Sequence, residues 1–281
     1  MSTTLSRLAS LLIIGSLSAC MATGSSGDKS GGIGSALSSA TSAVGGIGGT
    51  SGKTDKGMAA DAVGDLFKAA TLSDADVIAR ADDAIREMDR TNKIAPANSK
   101  YTLRLNKLFG KHKGEDGMKL DYKVYLVKDV NAFAMANGSI RVFAGLMDKF
   151  TDDELLFVIG HELGHVKLQH SKEQLKAALL TSAARKGVAS QNSVAGNLAS
   201  GDLGALAESA MNAKFSRTDE SASDEYSVQF MAKHKYKVAA AETALKKLSS
   251  MGENTSFLSG HPAAGERAAK VAEKAATLAK N

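Results

Sequence analysis

Tryptophan is absent from this 281-residue sequence, and aromatic residues make up only 5% of it. A surface that stacks on nucleic-acid bases or sugar rings would therefore have few residues to build it from. Lysine and arginine number 35 against 30 aspartates and glutamates, and the excess is spread along the chain rather than gathered in a run. These features disfavour a nucleic-acid partner and favour a globular protein with a solvated, mildly basic surface.

Cysteine occurs once, at Cys20, so no intrachain disulfide can form. Before it come Arg7, an apolar stretch from Leu8 to Leu17 and small residues, a pattern typical of a secretory signal peptide. The segment Leu17-Ser18-Ala19-Cys20 resembles a bacterial lipobox, whose cysteine is lipidated. We therefore predict a signal peptide at 1–19 and a lipid anchor at Cys20. Met21 after the cysteine favours the outer membrane, again by resemblance.

Composition divides the remaining chain in two. Residues 20–57 are mostly glycine, serine, threonine and alanine without an apolar period, which predicts a flexible tether. Residues 58–281 are predicted to form one domain. Helices are expected from Ser73, over 101–109, 216–234 and 238–251, and after Pro262. The first of these helices should bury one face, formed by Val77, Ala81, Ala84, Ile85 and Met88.

Two segments, 123–128 and 139–143, are rich in β-branched and aromatic residues and predict strands. The Asn137-Gly138 turn pair precedes the second segment, so a hairpin or small sheet is expected. The glycine-punctuated segment 173–215 is interpreted as helices broken by turns. It is a candidate lid or partner-docking element.

A capping box at Thr151 and Glu154 predicts the start of a buried helix that carries His161-Glu162-Leu163-Gly164-His165. Residues i and i+4 share a helix face, so His161 and His165 can bind one zinc ion. Glu162 between them would act as the base that takes a proton from the attacking water. The motif indicates a zinc-dependent hydrolase, and the competing interpretation is a helix whose histidines are only structural.

The third zinc ligand cannot be read from this motif alone. A metzincin would have glycine at 168 and histidine at 171, where this chain has Leu168 and Ser171, so that class is excluded. His170 is one residue out of register for that role and is interpreted as supporting or structural. Glu220 and Asp224 are spaced i, i+4 on a later helix, where one could bind zinc and the other orient a ligand histidine. A solvated acidic helix face is the alternative for this pair.

Several motifs together resemble the HtpX and CaaX prenyl protease family of gluzincins, and most closely its soluble periplasmic lipoprotein members of the LoiP and BepA type. The resemblance runs from about Leu72 to Arg267. It rests on the motifs 161–165, 216–224, 131–134, 138–142, 145–146 and 261–262, with Arg267. It implies an α+β, mainly helical, zincin-like metallopeptidase domain with a small β-sheet beside the HExxH helix.

The resemblance also implies roles for individual residues. Glu220 would be the third ligand of a single zinc ion, and Asp224 would support the site; Ser223 stands where the family usually has alanine. His261 would stabilise the oxyanion or cap the zinc in a resting form. Arg217 and Arg267 would hold helices through carboxylates, with Arg217 close to the site. The edge strand beside the cleft would bind extended substrate, through Asn131, Ala132 and Phe133.

Together these features predict a zinc metalloendopeptidase that degrades misfolded or damaged proteins of the bacterial cell envelope. Its partners would be unfolded envelope proteins and, through Cys20, the periplasmic face of the outer membrane. The alternative is an envelope assembly factor or chaperone-like protein whose proteolysis is secondary.

Overall fold

The structure is a computed structural model, and it describes residues 72–189, 214–252 and 255–278. The predicted signal peptide, tether and lipid anchor lie outside these residues, as does the part of the candidate lid 173–215 that runs from 190 to 213. The described part has the predicted α+β, mainly helical architecture with one small sheet. Among its helices, none combines the length and apolar character needed to cross a bilayer.

The first two helices begin close to the predicted positions. Helix α1 (Asp74–Thr91) is capped by Ser73, and α2 (Lys100–Phe109) is capped by Ser99. A hydroxyl at this position accepts a backbone N–H that would otherwise have no partner, which fixes the first turn. The apolar face predicted for α1 is confirmed, because all five of its residues are buried: Val77, Ala81, Ala84, Ile85 and Met88.

The sheet has three strands in the order β1-β3-β2: β1 (Asp121–Tyr125), β2 (Ala132–Ala134) and β3 (Ser139–Phe143). The two predicted strands, β1 and β3, are parallel neighbours, so they do not form a hairpin with each other. The hairpin is made instead by β2 and β3, which are antiparallel. It turns through Gly138, whose φ of 82° suits glycine and whose added Cβ would lie 2.2 Å from the Lys119 carbonyl oxygen. Strand β2 is too short to show a sequence period, and only the family resemblance placed an edge strand at these residues.

Two helices follow the sheet directly. Helix α3 (Ala144–Lys149) leads to α4 (Asp152–Lys167), which opens with the predicted capping box between Thr151 and Glu154. Every residue of α4 from Glu154 to Val166 is buried. A helix buried on all faces lies in the centre of a domain rather than on its surface. The HExxH motif is therefore held in the core of the domain.

Five helices complete the described fold: α5 (His170–Ala189), α6 (Arg217–Lys233), α7 (Ala240–Met251), α8 (Ser256–Gly260) and α9 (Ala264–Leu278). The expected break at Gly187 is wrong, since α5 continues through it to Ala189. One glycine does not stop a helix whose other residues favour it, because it costs only about 1 kcal/mol. Helices α7 and α9 bury their alanine-rich faces in the main core.

Helix α6 packs closely along α4, and glycines on α4 permit the approach. A Cβ added at Gly164 would lie 2.9 Å from the Cα of Ser223, and one at Gly160 would lie 2.6 Å from the Oγ of Ser227. The Ser227 hydroxyl donates to the carbonyl oxygen of Phe157 at 2.6 Å. This contact sets how far the acidic residues of α6 stand from the histidines of α4.

A cluster of polar side chains joins the C-terminal end of α6 to the turns after α2. The carboxylate of Glu115 lies 3.0 Å from Nδ1 of His112 and 2.9 Å from Nε2 of His234, and it accepts from Lys233 at 2.6 Å. Burial raises the pKa of Glu115, but hydrogen bonds from Lys233, His234 and His112 outweigh it and lower the pKa to about 2. A carboxyl group whose pKa is depressed on folding stabilises the fold at pH values above its unfolded pKa.

We predict that Glu115→Gln lowers the free energy of unfolding by about 2–3 kcal/mol at pH 7, since each pKa unit corresponds to about 1.4 kcal/mol. The difference from the parent should shrink as the pH falls from the ordinary glutamate value of 4.5 towards about 2, because the parent then loses the same charge. Urea unfolding of both proteins at several pH values measures this difference in the free energy of unfolding.

Glu242→Gln is the matched control, because Glu242 forms a more exposed pair with Lys246 within α7. It should change stability little at any pH. A deficit for Glu115→Gln that stays constant between pH 7 and pH 3 would contradict the assignment.

Candidate metal centre

Four side chains converge between α4, α6 and the residue after α8. The Nε2 atoms of His161 and His165 lie 3.0 Å apart, and Nε2 of His165 lies 3.3 Å from Oε1 of Glu220. Nδ1 of His261 lies 2.9 Å from the same oxygen and 3.3 Å from Nε2 of His161. One ligand atom from each of the four residues falls within 4.8 Å of the others, and all four residues are buried. The predicted ligands and His261 therefore meet at one point.

The electrostatics of this cluster suit a cation. Burial lowers the pKa of His161, but the carboxylates of Glu220 and Asp224 outweigh it and raise the pKa to about 9. Burial likewise raises the pKa of Glu220, while His261 and His161 hold it far below its ordinary value. Buried charges are stable only when they are paired or bound to a metal.

Asp224 fixes the ring of His161 and is itself fixed by an arginine. Its Oδ1 lies 2.9 Å from Nδ1 of His161, the nitrogen that points away from the other ligands. Arg267 donates to both oxygens of Asp224, at 2.7 and 2.6 Å, and also to Glu220. A carboxylate at the outer nitrogen selects the tautomer that leaves Nε2 free to bind metal.

Arg217 pairs with a carboxylate on another helix, as the resemblance implies, but it does not contact the carboxylates of the metal centre. It is the first residue of α6, its side chain is 79% exposed, and it donates to Glu266 at 3.2 Å. The first residue of this helix projects into solvent, one turn away from the buried face. Arg267 on α9 is the arginine that contacts the site carboxylates.

Glu162 lies beside the cluster, and one of its carboxylate oxygens accepts no hydrogen bond from the described residues. Its Oε1 is buried and has no hydrogen-bond partner among the described residues, although Nε2 of His261 lies 3.4 Å away. Burial raises the pKa of Glu162, and the positive charges of His261 and His161 and the backbone N–H of Ala134 only partly oppose this. A buried carboxyl group with a raised pKa and a free oxygen is suited to exchange a proton with a bound water.

The predicted substrate-binding residues form one wall of a cleft that also contains Glu162 and His261. Asn131, Ala132 and Phe133 lie at the edge of the sheet, because β2 is an outer strand. The carbonyl oxygen of Asn131 accepts from the N–H of Phe143, and Met135 donates to Ser139. In an antiparallel pair alternate residues bond to the partner, so the backbone groups of Ala132 and Ala134 point away from β3.

Sequence reasoning missed several residues that shape the cleft. Phe215 stacks on the ring of His165 with centroids 3.7 Å apart, and Phe257 stacks on His261 at 4.4 Å. Ser171 on α5 is buried, and its hydroxyl has no partner among the described residues. No periodic or motif signal marks these positions, since each is defined by a neighbour distant in sequence.

The donor set fits a divalent metal. Two imidazole nitrogens and a carboxylate oxygen are the ligands of many catalytic zinc sites, and zinc retains a position for water beside three protein ligands. The unpaired Oε1 of Glu162 is consistent with such a water. The cluster of His112, Glu115 and His234 also has donor atoms within 4.8 Å of one another. Lys233 already neutralises the charge of Glu115 in this cluster. We therefore interpret the cluster as one that stabilises the fold.

Comparison with known proteins agrees with this site. The sequence profile of peptidase family M48 matches residues 104–275. Metalloprotease LoiP of Escherichia coli (strain K12) is 43% identical over 211 residues, covering 74% of this chain and 84% of that protein. Metalloprotease YcaL of the same organism is 41% identical over 227 residues, covering 79% and 89%. The HExxH helix, the buried ligand group and these matches lead to one conclusion. The chain belongs to peptidase family M48 and is a metalloendopeptidase.

Proposed function

We propose that this protein is a zinc-dependent endopeptidase of the bacterial cell envelope that cleaves misfolded or damaged proteins. The observation that carries the proposal is the unpaired Oε1 of Glu162, which lies 3.4 Å from Nε2 of His261 in a cleft that the residues of β2 also line. His161, His165 and Glu220 would hold the zinc ion. When bound, zinc lowers the pKa of a water molecule and polarises a peptide carbonyl.

The protein's own groups then perform the proton transfers. Glu162 accepts a proton from the attacking water and delivers it to the leaving nitrogen, which its raised pKa and free oxygen permit. His261, 3.4 Å from Glu162 and 2.9 Å from Glu220, is close enough to donate to the developing oxyanion or to occupy a ligand position at rest. Arg267 donates to both Glu220 and Asp224. Burial raises the pKa of Asp224, but His161 and Arg267 outweigh it and lower the pKa.

Selection of unfolded proteins follows from the edge strand. The backbone groups of Ala132 and the carbonyl of Ala134 face the cleft beside the Ala134 N–H that contacts Glu162, so an extended peptide can add to β2 through main-chain hydrogen bonds. This binding mode recognises the peptide backbone and depends only weakly on the identity of the side chains. Folded proteins have their backbone groups paired already, so unfolded segments bind preferentially.

The location of the protein is part of the same proposal. The signal-peptide pattern and the single Cys20 support anchoring at the periplasmic face of the outer membrane. The 38-residue tether, residues 20–57, would let the domain reach clients near the membrane surface.

We predict that Glu162→Gln lowers the rate of casein cleavage at least 100-fold while the purified protein keeps its zinc, because the amide cannot accept the proton. Metal analysis and cleavage assays on the same sample measure both properties. Asp153→Asn, a nearby carboxylate on the first turn of α4, is the matched control and should keep full activity.

Normal cleavage by zinc-loaded Glu162→Gln would contradict the assigned base. Full rescue of a deletion strain by the inactive variant would favour the assembly-factor function instead.

We predict that N-methylation of a peptide substrate has an alternating effect. Methyl groups on amides that face β2 should raise KM at least 10-fold, because they remove the strand-pairing hydrogen bonds. Methyl groups on the intervening residues should have a small effect, since those amides point away. A KM that responds equally at every position near the scissile bond would argue against strand addition.

We predict that Cys20→Ser moves the protein from the membrane fraction to the soluble periplasmic fraction, because serine cannot carry the thioether-linked lipid. Cell fractionation followed by immunoblotting measures the change. Retention of the serine variant in outer-membrane vesicles would contradict the proposed anchor.

A further inference from the structure

The two histidines of the HExxH motif are held differently. Each directs Nε2 towards the other ligands, so each has an Nδ1 atom pointing outwards. Nδ1 of His161 faces Asp224 at 2.9 Å. Nδ1 of His165 instead faces another imidazole, Nδ1 of His170, at 3.1 Å.

A zinc-bound imidazole must carry its proton on the outer nitrogen and donate it. The N–H of His165 therefore requires an acceptor, and Nδ1 of His170 can accept only if the proton of His170 sits on Nε2. That Nε2 lies 3.5 Å from Oδ1 of Asp219, a carboxylate oxygen. His165 thus donates to His170, and the Nε2–H of His170 lies beside Asp219 at ion-pair distance.

Asp219 is itself held in place. Its second oxygen accepts from the backbone N–H of Ser216 at 3.2 Å and from the Ser216 hydroxyl at 2.8 Å, in the capping box that starts α6. The remaining Oδ1 atom is left to face His170. The helix cap therefore fixes the Asp219 carboxylate beside the outer nitrogen of His170.

From this geometry we propose that His170 is a positioning residue for the zinc ligand His165, and that Asp219 orients His170. Helix α6 then supplies the third ligand, Glu220, together with one carboxylate behind each histidine ligand. Asp224 acts on His161 directly, and Asp219 acts on His165 through His170. The proposal depends on the metal-binding role of His165 in the proposed function.

Zinc affinity of the full-length protein, measured by competition with a chelating dye, tests the proposal without any substrate. His170→Leu keeps the volume of the side chain but has no acceptor, so zinc should bind 10- to 100-fold more weakly. His170→Asn offers an amide oxygen near the position of Nδ1 and should recover most of the affinity. Asp219→Asn should weaken zinc binding in the parent but have no further effect in the His170→Leu background.

Ser223→Ala is the matched control. The Ser223 hydroxyl lies 3.3 Å from the same nitrogen of His170, so this variant changes the polar surroundings of His170 without removing the acceptor. Its zinc affinity should equal or slightly exceed that of the parent. Thermal unfolding of the metal-free proteins should show similar midpoints for His170→Leu and His170→Asn.

Equal zinc affinity of the parent and His170→Leu would overturn the proposal, as would equal weakening by leucine and asparagine. A purely structural role predicts altered unfolding of the metal-free protein with unchanged zinc affinity. If the parent itself bound no zinc, the proposed zinc-dependent function would fail, which is a distinguishable result.

Discussion

The close packing of α4 against α6 is the contact on which the rest of the site depends. Two imidazoles from α4 define only one side of a coordination sphere, and the third ligand must come from a residue nearly 60 positions away in sequence. Gly164 lets the backbone of α6 approach so closely that a methyl group would meet the Cα of Ser223 at 2.9 Å. At that separation Glu220 reaches both histidines, and a modest outward shift of α6 would move its carboxylate out of ligand distance.

Burying this much charge requires compensation from outside the ligand set. His161, Glu162, Glu220 and Asp224 are all almost fully buried. Arg267 contributes the balancing guanidinium and forms hydrogen bonds with Asp224 and Glu220 of α6. Helix α9 is therefore bound to the site through charge as well as through apolar packing. The stability of the fold and the electrostatics of the metal centre therefore share the same residues.

The sheet lines one wall of the cleft that leads to the metal centre. Strand β2 is three residues long and lies at the edge, with its outward backbone groups beside Glu162. Exposed edge strands are normally a risk because they pair with other chains. In the proposed function an extended substrate would bind by such pairing, so the same property that risks aggregation would support function.

The local features of this protein could be read from its sequence, because they depend on residues within one or two helical turns. They include the capped start of α4, the i, i+4 pair His161 and His165, and the buried face of α1. The resemblance to a known family added Glu220 and Asp224, which the acidic pattern alone could not separate from a solvated surface. Only the tertiary structure decided that β1 and β3 are parallel, that Arg267 rather than Arg217 contacts the carboxylates, and that His170 lies behind His165. Each of these depends on the distance between segments remote in sequence, and that distance is set by packing across the core rather than by any local pattern.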